Sequence, residues 1–250
     1  MAIVKSTLGL INSEVQPSSF AFSRTTVGTR VNSIGLIETV PANRIRQDYH
    51  PNVVGTPKGW LLEETSTNIC LQSSDFSTTW VVEGVGVVNT VTKAMDPAGV
   101  MNSALSLESS GGATAGIKQA IAFTNGNAHT VSIFVKQSQV PTFDYIELAD
   151  KVTGSVFSQI FDLSSGVVDN ATGTATNAKI TSYPNGWYRC EVTVVPDATS
   201  TELYVIPRND DSNGAVDTTT FGDSVFLWGA QVEALSYATS YIATTAAPET

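Results

Sequence analysis

The sequence predicts an all-β fold, an antiparallel β-sandwich preceded by an extended N-terminal arm. Three observations predict it. First, the 250 residues are 42% hydrophobic but only 14% charged, and 26 Ser and 31 Thr stand where charge is usual. Threonine suits a pleated, half-buried surface, and serine suits turns. Second, apolar residues recur with period two, and no apolar stripe of helical period runs over three turns. Third, turn clusters punctuate the chain every ~10–20 residues, a spacing that suits a sandwich of short strands. They include Ser109-Ser110-Gly111-Gly112, Asn125-Gly126-Asn127, Ser164-Ser165-Gly166 and Pro184-Asn185-Gly186.

Residues 1–59 read as the arm. They hold Pro17, Pro41, Pro51 and Pro57, the turn Asn32-Ser33-Ile34-Gly35, and only short β-like pieces such as Leu36-Ile37-Glu38-Thr39-Val40. So few apolar residues predict no core of their own. Residues 60–240 read as the sandwich, and 241–250 as a C-terminal tail. In the segment 130–136, Val131, Ile133 and Val135 share one face. Residues 155–163 and 201–206 alternate in the same way. In the segment 186–194, Tyr188, Cys190, Val192 and Val194 point inward, and Trp187, Arg189, Glu191 and Thr193 point outward. Residues 223–232 are apolar on both faces, which predicts a central strand covered on both sides. No internal repeat of 20–50 residues supports a solenoid or propeller.

The formal net charge is −10, but residues 1–60 carry +3 and the remainder −13. An acidic body repels phosphate backbones, so nucleic acid is not an expected partner. The basic arm instead suits an acidic protein surface. No apolar run approaches the ~18 residues of a membrane-spanning helix, and the first residues lack the pattern of a secretion signal. Cys70 and Cys190 lie 120 positions apart without metal-ligand spacing, and are expected to be two buried thiols.

Catalytic signals are sparse. His50 and His129 sit in no metal-ligand or nucleophile–base spacing, and His129 is expected at the surface. Glycoside hydrolysis needs two carboxylates flanking a bond. Asp144, Glu147, Asp150, Asp162, Glu191, Asp210 and Asp211 are available, and sequence alone selects no pair. Sugar binding needs less: an exposed ring to stack on a pyranose, with charged or amide groups for its hydroxyls. Strand parity nominates Trp187 with Arg189 and Glu191, and Tyr145 with Glu147. Asp210-Asp211-Ser212-Asn213-Gly214 with Asp217 is oxygen-rich but lacks the EF-hand spacing. It reads as a solvated acidic loop, so no metal or cofactor is expected.

Several short runs, in order, resemble one family. They are residues 68–77 (Asn68-Ile69-Cys70-Leu71-Gln72-Ser73-Ser74-Asp75-Phe76-Ser77) with Trp80, then 131–136, then Phe161-Asp162-Leu163-Ser164-Ser165-Gly166. Asn185-Gly186-Trp187-Tyr188-Arg189-Cys190, Leu227-Trp228-Gly229-Ala230-Gln231-Val232-Glu233 and Ala238-Thr239-Ser240-Tyr241-Ile242 follow. In the arm, Phe22-Ser23-Arg24, Gly35-Leu36-Ile37 and residues 43–49 add to the likeness. Together they resemble bacteriophage virion structural proteins that carry a jelly-roll domain similar to carbohydrate-binding modules. The likeness covers residues from about 20 to 245. It implies a jelly-roll fold and a virion component without enzymatic activity: a tail fibre, appendage or capsid-decoration subunit. It further implies contacts to other virion proteins, homo-oligomers such as trimers, and host-surface glycan as ligand. A purely structural decoration or connector protein and a glycan-cleaving enzyme stand as the rival readings. The related sugar-binding modules often place an acid in their last core strand for calcium; here that stretch reads Trp228-Gly229-Ala230-Gln231.

Overall fold

The computed structural model describes residues 22–83, 86–109, 112–113, 116–139, 143–151, 156–198, 200–209, 218–219 and 223–250. Among these there is no α-helix, and one helical turn, a 3-10 turn at Pro184–Gly186. The chain divides into two units. One ends at Thr65 and takes in Thr239–Tyr241; the other is Ser66–Ala238 with Ile242–Thr250.

The first unit carries two antiparallel hairpins. β1 (Gly28–Val31) pairs with β2 (Ile37–Val40), and β3 (Gln47–Tyr49) pairs with β4 (Pro57–Trp60). Asn32 Oδ1 closes the first turn by accepting from the Ile34 and Leu36 amides at 3.1 and 3.0 Å, and Gly35 supplies the positive φ of 85°. The sequence reading expected an extended arm, because apolar residues are few. Polar side chains join the hairpins instead. Asp48 Oδ1 accepts from the Val31 amide at 2.8 Å, Arg30 Nη1 donates to the Gln47 carbonyl at 3.2 Å, and Arg46 Nη1 donates to the Thr29 carbonyl at 2.9 Å. Val31, Ile37 and Val40 are buried, as are Arg46, Gln47 and Asp48. The boundary at Thr65 also brings in Glu63 and Glu64, which lowers the formal charge from +3 for residues 1–60 to +1 for residues 1–65.

The second unit holds the remaining strands. In chain order they are β5 (Val81–Glu83), β6 (Gly86–Ala94), β7 (Ala104–Ser109), β8 (Gly112–Ala113) and β9 (Gly116–Ala120). Next come β10 (His129–Gln137), β11 (Tyr145–Asp150), β12 (Phe157–Asp162), β13 (Val167–Gly173) and β14 (Thr176–Tyr183). Last are β15 (Trp187–Val194), β16 (Glu202–Arg208), β17 (Thr218–Thr219) and β18 (Ser224–Glu233). Two six-stranded antiparallel sheets result, ordered β14-β15-β10-β18-β7-β6 and β13-β12-β11-β16-β9-β5; β8 and β17 form a separate short pair. This is an antiparallel β-sandwich of the jelly-roll type, as expected.

Alternation sets the core. Val131, Ile133 and Val135 of β10, with Cys190, Val192 and Val194 of β15, line the inner face of the first sheet. Ile146 and Leu148 of β11, Phe157 and Phe161 of β12, and Leu203 and Val205 of β16 line that of the second. Cys70 and Cys190 are both free and buried, as the sequence predicts. Burial in apolar surroundings raises both thiol pKa values, with Glu191 adding to the effect at Cys190.

β18 is interior to its sheet and buried on both faces, as predicted, but it does not alternate throughout. Leu227 and Ala230 both join the core although they are three residues apart. The register against β10 slips between Ser132 and Phe134, and Gly229 has φ +64°. This β-bulge lets Trp228 and Gln231 both face away from the core. A side chain at Gly229 would be strained in that backbone conformation.

Past the bulge, β18 runs out of neighbour: β7 pairs only as far as Leu227. Asn68 fills the gap with its side chain. Its Oδ1 accepts from the Val232 and Cys70 amides, both at 3.0 Å, and its Nδ2 donates to the Ala230 and Ile242 carbonyls at 3.1 and 2.8 Å. The Ile69 amide donates to the Val232 carbonyl, and the Ala230 amide to the Ser73 carbonyl. Gln119 does the same for Leu71, accepting from its amide at 2.7 Å and donating to its carbonyl at 2.8 Å. The segment expected to be a tail is bonded in here too. Glu249 and Asn68 exchange backbone bonds, and Thr244 Oγ1 donates to the Cys70 carbonyl at 2.5 Å.

Truncating Asn68 takes its side-chain partner from three buried backbone groups and from the part-buried Ile242 carbonyl, each buried loss costing about 1–3 kcal/mol less any relaxation. Asn68→Ala is therefore expected to lower stability by at least ~3 kcal/mol in urea denaturation, and a loss under ~1 kcal/mol would contradict the account.

Candidate functional site

The first nominated group, Trp187, Arg189 and Glu191 on β15, points away from the core as its parity predicts. Its exposure does not follow. Trp187 is 0% and Arg189 7% exposed. Trp187 Nε1 donates to the Met95 carbonyl at 3.0 Å. Arg189 Nη2 donates to Ser132 Oγ at 3.0 Å, and its guanidinium lies 5.5 Å from the Phe134 ring centroid. Glu191 sits 3.5 Å from Arg189 Nε and 3.7 Å from Lys179 Nζ. Neighbours on this face, Thr130, Ser132, Phe134, Gln231 and Glu233, are buried as well. Further chain lies over them: Thr130 Oγ1 donates to the Leu235 carbonyl, Thr193 Oγ1 to the Ser236 carbonyl, and the Ile242 amide to Gln231 Oε1. Period two reports which way a side chain points, not whether a second layer covers it. Trp187 thus offers no ring to a ligand.

The second nominated pair lies on the outer face of the other sheet. Tyr145 is half-buried and stands in register with Arg208 on one side and Asp162 on the other. Glu147 is buried, and its carboxylate is fully engaged. Oε2 meets Arg208 Nη1 at 3.0 Å and Lys151 Nζ at 3.1 Å, and Oε1 accepts from Ser158 Oγ at 2.7 Å. Farther across the face, Lys118 Nζ bridges Glu83 at 2.9 Å and Glu202 at 3.3 Å, and lies 5.3 Å from the centroid of Tyr204. The Tyr204 hydroxyl donates to Glu202 Oε2 at 2.7 Å. The bond to Glu83, then that to Tyr204, raises the Lys118 pKa; burial, then Glu202, raises that of Tyr204.

Sequence reading nominated Tyr145 and Glu147 but missed Arg208, Lys151, Ser158, Lys118, Tyr204 and Glu202. One signal was available. Arg189 and Arg208 are the two arginines beyond residue 60, and in an acidic body each was due a carboxylate: Arg189 finds Glu191 on its own strand, whereas Arg208 finds one across the sheet. Which carboxylate depends on strand order.

The other candidates resolve individually. Asp162 caps the β12–β13 turn, accepting from the Ser164 and Ser165 amides and hydroxyls. Burial works to raise its pKa, but the bonds from Ser165 and Ser164 together outweigh it and hold the carboxylate below its ordinary value. Asp144 accepts from Gln137 Nε2 at 3.0 Å. The oxygen-rich loop at 210–217 lies outside the described residues. Among the described residues, no three His, Cys, Asp or Glu are grouped to hold a metal ion. His129, expected at the surface, is 1% exposed. Its Nδ1 meets the Asn127 carbonyl at 3.1 Å and its Nε2 accepts from the Thr124 amide at 3.3 Å. Its ring closes the end of the sandwich against Phe123, and burial lowers its pKa.

The fold and these faces define an all-β jelly-roll protein with one closed outer face and one charged outer face. No family model matches the chain, and no curated protein matches it. Solved structures of similar strand layout include the xylan-binding CBM22-1 domain of Paenibacillus barcinonensis Xyn10C. The TM-score is 0.42 at 12% identity, over 69% of this chain and 94% of that one. The C-terminal family 22 carbohydrate-binding module of Clostridium thermocellum Xyn10B gives 0.40 at 16% identity, over 68% and 94%. The enzymatically active domain of tailspike protein 4 of bacteriophage CBA120 gives 0.37 at 13% identity, over 66% of this chain and 21% of that one.

Two measurements check the buried assignments. Trp187→Ala is expected to cost about 3–5 kcal/mol, the scale of a core Trp truncation; a cost below ~1 kcal/mol would mean an exposed ring. For His129, the folded pKa lies below the unfolded one. Its stabilising contribution is thus complete above pH ~6.5 and fades as pH falls through the folded pKa, where a proton on Nε2 displaces the Thr124 bond. Between pH 7.5 and 5, wild type should lose more stability than His129→Gln; parallel pH profiles would remove this role.

Proposed function

We propose that this chain is a non-enzymatic structural subunit of a bacteriophage virion, attached through its N-terminal unit and displaying a jelly-roll body that binds host-surface glycan. The observation that carries the glycan part is the outer face of the sheet formed by β11, β12 and β16. It sets the half-buried Tyr145 beside ionic groups already fixed in position, Glu147 with Arg208 and Lys151, with Lys118 and Glu202 farther across the face around the buried Tyr204. Fixed donors and acceptors next to an aromatic ring are what a sugar needs for its hydroxyls and its apolar face. Weak sites suffice, because many copies on one particle convert low affinity into avidity. Membership of a virion is supported by the ordered likeness of residues from about 20 to 245 to phage structural proteins.

The non-enzymatic part rests on the carboxylates. Glu147, Asp144, Asp162 and Glu191 are each committed to a neighbouring cation, hydroxyl, amide or backbone group. Glycoside hydrolysis needs one carboxyl to protonate the leaving oxygen and a second as nucleophile or base, and these four side chains are held in other roles. The purely structural reading is favoured by the closed state of the face that bears Trp187.

Titration of the whole chain with purified surface polysaccharides of candidate hosts tests the glycan reading. Binding is expected without release of reducing ends, and Tyr145→Ala should weaken it about tenfold, the worth of a ~1.4 kcal/mol contact. Binding unchanged in that variant would move the site elsewhere, and no binding to any polysaccharide would leave the structural reading. Deleting residues 1–65 should give a folded body that no longer joins particles; continued incorporation would refute the attachment role.

A further inference from the structure

We propose that the N-terminal unit carries a folding switch: it closes only when the strap Thr239–Tyr241 is laid into it by an assembled sandwich, so the attachment unit forms after the body and not before. Its own means of closing are slight. A two-stranded hairpin alone is marginal in water, and the unit consists of two. Val31, Ile37 and Val40 are the aliphatic side chains it buries among the described residues. The strap, which belongs to this unit, supplies further bonds. The Ser240 amide donates to Glu63 Oε1 and the Ser240 hydroxyl to Glu63 Oε2, both at 2.7 Å. The same hydroxyl accepts from Arg46 Nη1 at 2.6 Å, and Arg46 Nη1 meets Glu63 at 2.9 Å. Thr29 Oγ1 donates to the Tyr241 carbonyl at 2.6 Å, and Thr239 and Tyr241 are buried. One strap thus ties β1, through Thr29, to Arg46 before β3 and Glu63 after β4.

Glu63 and Ser240 are 177 positions apart, and Thr29 and Tyr241 are 212 apart. Bringing such distant pieces together costs closure entropy. The sandwich bears that cost, because it holds the chain on both sides of the strap. Just before it, the Leu235 and Ser236 carbonyls accept from Thr130 on β10 and Thr193 on β15. Just after it, the Ile242 amide donates to Gln231 on β18, and the Ile242 carbonyl accepts from Asn68 Nδ2. Once β10, β15 and β18 are in register, the three residues between are held at high effective concentration. Until then they belong to a free chain, and Glu63 and Arg46 lack the amide and hydroxyl that complete their pairing. Leaving a partly buried ion pair short of its hydrogen bonds is costly. The dependence runs one way, since the sandwich has an apolar core of its own. The inference rests on the attachment reading only for what the unit does once formed.

The test is hydrogen exchange in the full chain, read by mass spectrometry on segments 28–49, 129–137 and 187–194 across a urea series. In wild type, and in Asn68→Ala with its weakened sandwich, the protected fraction of 28–49 is expected never to exceed that of 187–194. Protection of 28–49 that persists where 187–194 has opened overturns the switch. Without urea, Ser240→Pro, which removes both strap donors to Glu63, should speed exchange in 28–49 about tenfold and leave 129–137 and 187–194 as they were. Glu63→Ala removes the same bonds from the other side and should do likewise, which covers the case in which proline disturbs the sandwich. Unchanged protection of 28–49 in both variants also overturns the switch. If 28–49 opens in Ser240→Pro while that variant still enters particles normally, the switch stands and the attachment reading fails.

Discussion

The sandwich depends on one side-chain amide standing in for a strand. Beyond Leu227, β18 has no strand beside it on the β7 side, only the irregular segment that bonds to it through the Ile69 amide and the Ser73 carbonyl, yet it lies at the centre of its sheet and is buried on both faces. Buried amide and carbonyl groups must be paired. Asn68 pairs them because a carboxamide carries a donor and an acceptor at the spacing of a peptide unit. Gln119 repeats the device one segment along, on Leu71. Two amides thereby let an irregular segment, residues 68–73, seal a sheet without being a strand. The bulge at Gly229 belongs to the same arrangement. It rotates Gln231 outward, where it accepts from the Ile242 amide, and returns Ala230 and Val232 to the core.

Much of this was readable in the sequence, and the reason is local. Period-two alternation is a property of one strand, so β10, β15 and β18 and the direction of their side chains could be read directly. The turn at 164–166 was also plain, since Asp162 precedes two serines and a glycine. What could not be read is long-range. That Asn68 meets Val232 and Ile242, or that Glu147 meets Arg208, follows from strand order, which no local pattern encodes. The burial of Trp187 failed for the same reason: Met95 lies 92 positions away. The first 60 residues misled in another way. Scarcity of apolar residues suggested an arm, but Asp48, Arg30 and Arg46 hold two hairpins through bonds to backbone.

The two outer faces of the sandwich have different physical characters. On the β10–β15 side, polar residues are buried and bonded chiefly to backbone carbonyls or to each other, which fixes the layer above them. On the β11–β16 side, charges are paired with charges. Removing Glu147 and Arg208 from water is costly, and such a pair is weak evidence for stability, because apolar residues of similar size would often do as well. Its presence is better explained by what it orients. Lys151 and Tyr145 are partly exposed and lie against this fixed pair, so their positions are set before any ligand arrives. Preorganised polar groups lose less entropy on binding than mobile ones.

The bridge between Asn68 and Glu249 has a consequence for how the protein comes into being. It joins positions 181 residues apart, and the neighbouring bonds link residues 70–73 to 244–245. Contacts of such sequence separation form late and slowly. During synthesis, the opening strands of the sandwich must wait, with their seam to β18 still unmade, until residues 244–249 leave the ribosome. For that interval the inner faces of both sheets are open to water and to other chains. The closing segment therefore acts as a clasp, and any partner meets a finished surface only after the clasp has shut.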